Sequence, residues 1–156
     1  MSPFAHGLSA SLVAVTFAQV APEETHYIAA AVIAATVVDL DHLVHLVRNH
    51  VDCRNYPLAG RWHDARSPLH ELLGLMLAGV LCAFVFAADP KLAQVMFVAF
   101  TVHLSQDWLL GKSYPLTPFS KTCITFFELT FRQKVIVDIT VILISGALWT
   151  RYLNAQ

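Results

Sequence analysis

An all-α integral membrane helical bundle of four to five helices, with a polar loop at its cytoplasmic face, is the fold class that this sequence predicts. Three observations carry the prediction. The chain is 56% hydrophobic and only 13% charged, where soluble domains run nearer ~25% charged. Its mean hydropathy is +0.58. Its apolar residues gather into five segments, and the loops between them hold most of the charge. At 156 residues the chain makes a single membrane-embedded domain, 1–156, with no linker, repeat or low-complexity tract. The net charge of −1 lacks the basic excess that a nucleic-acid partner normally requires. The expected partners are the lipid bilayer and other membrane proteins.

The first apolar segment, residues 7–21, is short and only marginal as a span. No Lys or Arg precedes it, so it makes a poor signal peptide and reads as a retained membrane segment. The second covers residues 27–46. The third and fourth, residues 69–88 and 91–110, match the ~20 residues that a span needs. Asp89-Pro90 breaks the chain between them and predicts an antiparallel hairpin. In the polar loop of residues 111–134, the run CITFFELTF predicts a short hairpin or an interfacial segment. Residues 135–153 form the fifth segment. Trp108, Trp149, Tyr114 and Tyr152 read as interfacial aromatics.

Charge orients this bundle. Arg48, Arg54, Arg61 and Arg66 lie between the second and third segments, and Lys112, Lys121, Arg132 and Lys134 between the fourth and fifth. Only Lys91 and Arg151 lie on the other side. By the positive-inside rule the richer side of this multi-pass bundle is cytoplasmic. Three cysteines without CxxC spacing argue against a disulfide framework or a thiolate zinc site.

Histidine and aspartate then concentrate at that same side. His6 opens the first segment, Asp39, Asp41, His42 and His45 close the second, His70 opens the third, and His103 with Asp107 closes the fourth. An Asp in an apolar stretch is expensive without a partner. Asp39 and His42 are three apart; Asp41 with His45, and His103 with Asp107, are four apart, so each pair shares a helix face. The bland reading, strongest for His45 and His50, is a helix end at the headgroups. The sharper one is a divalent ion, zinc by preference and manganese or iron if carboxylates dominate, held by His6, Asp39, His42, His70, His103 and Asp107. Such an ion activates water for attack on an ester or phosphoester, with Asp41 or Glu71 as base and Arg66 holding an anionic, lipid-type substrate. Two rivals use the same residues without catalysis. One is a structural metal in a subunit of a larger membrane assembly, the other a metal-free His/Asp network acting as a proton relay.

The ordered motifs are His6, Asp39-Leu40-Asp41-His42, Arg66-Ser-Pro-Leu-His70, His103-Leu-Ser-Gln-Asp107 and GKSYPLTPFS. In this order they resemble the family of predicted bacterial inner-membrane metal-dependent hydrolases. The match covers residues 4–140. The resemblance implies a metal-dependent hydrolase at the inner leaflet. The chain departs from the family pattern at Val38, Ala65 and Leu69, where Pro, His and Thr are common; the ligands stay and neighbouring partners are lost.

Overall fold

The computed structural model describes residues 2–40, 68–116, 119–120 and 122–154. Helix α1 runs Pro3–Phe17. It starts ahead of the apolar run because the Ser2 side chain accepts the Ala5 N–H and Pro3 sits in the first turn, where a missing N–H costs nothing. Past its end, Gln19 takes a left-handed conformation, with φ of 50°, the usual way to turn a chain out of a helix.

Helix α2, Thr25–Thr36, tightens into a 3-10 turn at Val37–Asp39. Regular α-helical spacing therefore stops just before Asp39, and the sequence expectation for residues 41–46 lies outside the described residues. A second 3-10 turn, Pro68–His70, leads into α3, Leu72–Phe86. Asp89 caps α4, Pro90–Leu110, by accepting the Leu92 N–H at 2.9 Å, and Pro90 supplies the first turn. The hairpin read at Asp89-Pro90 is thus built from local capping chemistry.

After α4, β1 (Lys112–Ser113) pairs antiparallel with β2 (Ile124–Thr125), Lys112 opposite Thr125 and Ser113 opposite Ile124. Only the second strand comes from CITFFELTF. Helix α5, Phe131–Leu153, opens on a reciprocal cap: Thr130 accepts the Gln133 N–H, and the Gln133 side chain accepts the Thr130 N–H.

Helix α4 lies at the centre, packed on α1, α2 and α3; α1 also packs on α2 and α5. The contact surfaces are made of small residues: Ala10, Ala14, Ala31, Ala35 and Ala99 are wholly buried, with Val15 and Val95. Small side chains let helix backbones approach closely, the usual packing of helices in lipid. Gly7 shows how close: a Cβ there would sit 2.8 Å from the Thr36 methyl.

Large apolar side chains point outward instead. Phe84 is 77% exposed and Leu143 67%. Among the described residues α5 is the helix long and apolar enough to cross a membrane; α1, α2 with its turn, and α3 are apolar but shorter. Its Trp149 donates to the Leu8 carbonyl at 3.0 Å, its Tyr152 to the Val20 carbonyl at 2.6 Å, and its Asp138 accepts the Ser2 N–H. Trp149 therefore docks α5 onto α1, and Tyr152 docks it onto the segment just after α1.

The two ends of the bundle differ in chemistry. At one end lie the start of α1, the end of α2, the start of α3 and the last turns of α4. At the other, Lys91 reaches Glu24 at 2.6 Å and Tyr27 donates to Asp89 at 3.0 Å.

Candidate metal centre

Four elements deliver side chains to the first of these ends. His6 comes from the opening turns of α1, Asp39 from the 3-10 turn after α2, and His70 from the turn before α3. His103 and Asp107 stand one helical turn apart on α4. His6, His70 and His103 are essentially fully buried, and Asp107 is only 5% exposed.

The tautomers of two rings follow from their neighbours. His103 Nδ1 lies 2.6 Å from the carbonyl oxygen of Ala35. A carbonyl only accepts, so Nδ1 carries a hydrogen, and in the neutral ring Nε2 keeps its lone pair. The Ala35 carbonyl is available because the last four carbonyls of a helix lack intrahelical partners, and α2 ends at Thr36.

His6 is set by a longer relay. Ser9 donates its hydroxyl to the Ala5 carbonyl at 2.7 Å and so accepts from the Gln106 amide nitrogen at 2.9 Å. That turns the Gln106 carbonyl oxygen toward His6 Nδ1, 2.8 Å away, which therefore donates. Again, in the neutral ring, Nε2 is left with a lone pair. Among the described residues, Nε2 of His6 and Nε2 of His103 are buried and make no hydrogen bond.

Both lone pairs face carboxylate oxygens. His6 Nε2 is 3.3 Å from Asp107 Oδ1, and His103 Nε2 is 3.5 Å from Asp107 Oδ2 and 3.6 Å from Asp39 Oδ1. His70 Nε2 is 3.7 Å from Asp39 Oδ1 and 3.9 Å from Asp107 Oδ2. These separations exceed the ~2.7–3.2 Å of an N–H···O hydrogen bond. They lie near the ~3.4 Å that two ligand atoms keep across a tetrahedral ion bound at ~2.1 Å. One ligand atom each from Asp39, His70 and His103 falls within 4.8 Å of the others, a group that can hold a metal ion. The ring centroids of His6 and His103 are 4.5 Å apart, which places His6 against the same cluster.

Glu71, a candidate base, is buried beside this group at the N-cap of α3. Its Oε2 accepts from the Ser113 hydroxyl at 2.6 Å and its Oε1 from the Tyr114 N–H at 2.8 Å. It fastens the segment after α4 to the start of α3. Asp41, His42 and Arg66, together with His45 and His50, lie outside the described residues.

Several participants carried no signal of their own in the sequence. Gln106 stands inside HLSQD, where its place beside Asp107 and one turn from His103 was the available clue. Ser9 and the Ala35 carbonyl had none. Trp108 donates to the His70 carbonyl at 3.2 Å and pins the turn that carries that ring.

Fold and site together define a helical protein with a buried His/Asp group at one end and an apolar outer surface. The chain belongs to the YdjM inner membrane protein family, whose model matches residues 1–155. This agrees with the expected bacterial inner-membrane residence. No curated protein and no solved structure matches the chain.

Proposed function

We propose that the chain is a metal-dependent hydrolase of the inner leaflet, with one divalent ion, zinc by preference, held by Asp39, His70 and His103. One observation carries the reading. The Nε2 atoms of His6 and His103, in rings each oriented by a bond at Nδ1, face carboxylate oxygens in a buried space without a hydrogen bond. Between neutral imidazoles and carboxylates acceptor faces acceptor, an arrangement that a cation lying between them relieves.

A divalent ion in this position supplies Lewis acidity, lowering the pKa of water toward ~7 and polarising an ester or phosphoryl oxygen. The chain's own residues do the rest. Asp39, His70 and His103 orient their donor atoms toward one point. Asp107 presents Oδ2 to the two histidines and Oδ1 to His6, a position from which it takes the proton of the attacking water. Gln106 holds the His6 ring, and His6 holds Asp107. Glu71 acts by positioning, since both its oxygens bind the segment after α4. His42 as a further ligand, Asp41 as a second base and Arg66 as anion holder belong to the same proposal. So do a multi-pass arrangement and a cytoplasmic orientation, supported by the outward apolar surface and by the basic loops on the cluster's side.

Asp39→Ala and His103→Ala should each abolish bound metal while leaving the helical circular dichroism intact, and metal-dependent hydrolysis of a chromogenic phosphodiester or ester should vanish with it. Metal retained in both variants refutes the assignment. One observation favours a structural ion instead: Asp107 Oδ2 is near enough to His70 and His103 to act as a fourth ligand. Cobalt-substituted protein decides between the two. Its visible spectrum shifts on adding phosphate if a coordination position is open, and stays unchanged if the ion is saturated.

A further inference from the structure

We infer that the apolar groove beside the His/Asp cluster holds one acyl chain of a membrane lipid and so brings the lipid's polar end to the cluster. The inference rests on the metal-site reading for the chemistry at the polar end, and on the groove's own geometry for the chain.

The groove lies between α2, α3 and α4 and encloses about 610 Å³, within the ~300–1,000 Å³ of small-molecule sites. Ile33, Val38, Leu69, Leu77, Leu81 and Phe100 are among its walls, and among the described residues no charged side chain lines it. Its walls adjoin the cluster along the chain: Val38 precedes Asp39, Leu69 precedes His70, and Phe100 is about one turn before His103. Along α3 the wall continues from Gly74 to Cys82, about 12 Å at ~1.5 Å per residue.

The groove also opens sideways. Ile33 is 63% exposed, Leu81 55% and Leu77 51%. Around an inner-membrane protein, what lies beside such residues is the acyl region of the bilayer. Among the described residues these walls offer a water-soluble substrate almost nothing polar. A single hydrocarbon chain suits such an apolar wall; a docked helix, ~10–12 Å across with its side chains, is the occupant that the test below separates from it. Lipid tails are as apolar as the groove, so the groove contributes position and the polar end at the cluster contributes the hold.

The test uses full-length protein in vesicles of phosphatidylethanolamine and phosphatidylglycerol, doped with a phosphatidic acid that carries a diazirine at mid-chain. After irradiation, adducts are mapped by peptide mass spectrometry, and bound metal is measured on the same preparations. Adducts should be severalfold denser at Leu77, Leu81 and Phe100 than at Leu143 and Ile144 on the outer face of α5. Ala78→Phe, which fills the groove, should reduce them to the α5 level without changing bound metal. Should that variant fail to fold by circular dichroism, Leu77→Trp at the groove's mouth carries the same comparison. Equal labelling of groove and α5, or groove labelling that survives the filling substitution, overturns the inference. So does self-crosslinking of Leu77→Cys between two copies of the chain, which would make the groove a helix-docking surface. Groove adducts without any bound metal would keep the acyl chain in the groove and sink the metal reading with the polar-end chemistry; bound metal without groove adducts would overturn the acyl-chain placement and keep the metal reading.

Discussion

The Gly74→Ala substitution tests the link between helix packing and the metal centre. A Cβ built on Gly74 would lie 1.8 Å from the carbonyl oxygen of Leu69, 2.6 Å from its carbonyl carbon and 2.9 Å from its Cα. All three are backbone atoms of the turn that carries His70, so no side chain can swing away. Reaching ordinary contact requires the turn or the helix to move by roughly 1.6 Å. Metal ligands tolerate displacements of only about 0.2 Å, so the movement is several times what His70 can absorb. Overpacking of this kind costs about 1–3 kcal/mol, against the ~0.5–1 kcal/mol that replacing a helical glycine by alanine returns. The net expectation is a loss of about 1–2 kcal/mol in stability and a fall of roughly tenfold or more in bound metal. The assay is metal content after dialysis against a zinc buffer, with circular dichroism and thermal melting as the folding controls. Gly79→Ala is the matched comparison, because its Cβ would meet only the Phe97 ring at 3.7 Å; it should bind zinc as the wild type does and melt no lower. Full zinc in Gly74→Ala would refute the coupling between the turn and the site.

Other expectations follow from the same geometry. Gln106→Leu removes the acceptor that fixes His6 Nδ1, and should weaken metal binding by about 10–100-fold in competition with a chelator of known affinity while leaving helicity unchanged. Glu71→Ala strips the acceptor from the Ser113 hydroxyl and the Tyr114 N–H; chemical denaturation should show a loss of about 1–3 kcal/mol, and Glu71→Gln should restore part of it. At the opposite end, the Lys91 ammonium holds the Glu24 carboxyl below its ordinary value, and the Leu92 N–H does the same for Asp89. A carboxyl depressed in the folded state leaves the unfolded chain binding more protons, so its stabilisation is present above the ordinary carboxylate range, near pH 4.5 for Glu24, and is lost as the pH falls below it. Melting temperature should therefore drop with acidification through that window, and Glu24→Gln should flatten the drop.

How much of this the sequence disclosed depends on how local each cause is. Asp89-Pro90 was legible because the cap, the proline and the helix start occupy adjacent residues. Ser2-Pro3 uses the same chemistry, but it lies outside the apolar run, and hydropathy alone placed the helix start too late. The clustered histidines and aspartates were legible because carboxylates and imidazoles are costly in apolar segments, and alternating segments carry their ends to a common level. Glu71 illustrates the limit. Its charge is visible in the sequence, but its partners Ser113 and Tyr114 are more than forty residues along the chain, so a carboxylate engaged in fastening a loop looked like one available as a base. Helix length was equally hidden. The apolar run ending in VVDLDH continues past Thr36, but the backbone tightens there into a 3-10 turn, a change that composition does not register.

The Ala35 carbonyl has a consequence of another kind. Because the group steering the His103 ring is a peptide oxygen, no exchange of side chain deletes it, and position 35 is held to a small residue by crowding alone. That steering fails only if the path of α2 itself changes, for instance through a proline that reshapes its last turn. Screens that replace side chains one at a time would pass over this contact entirely.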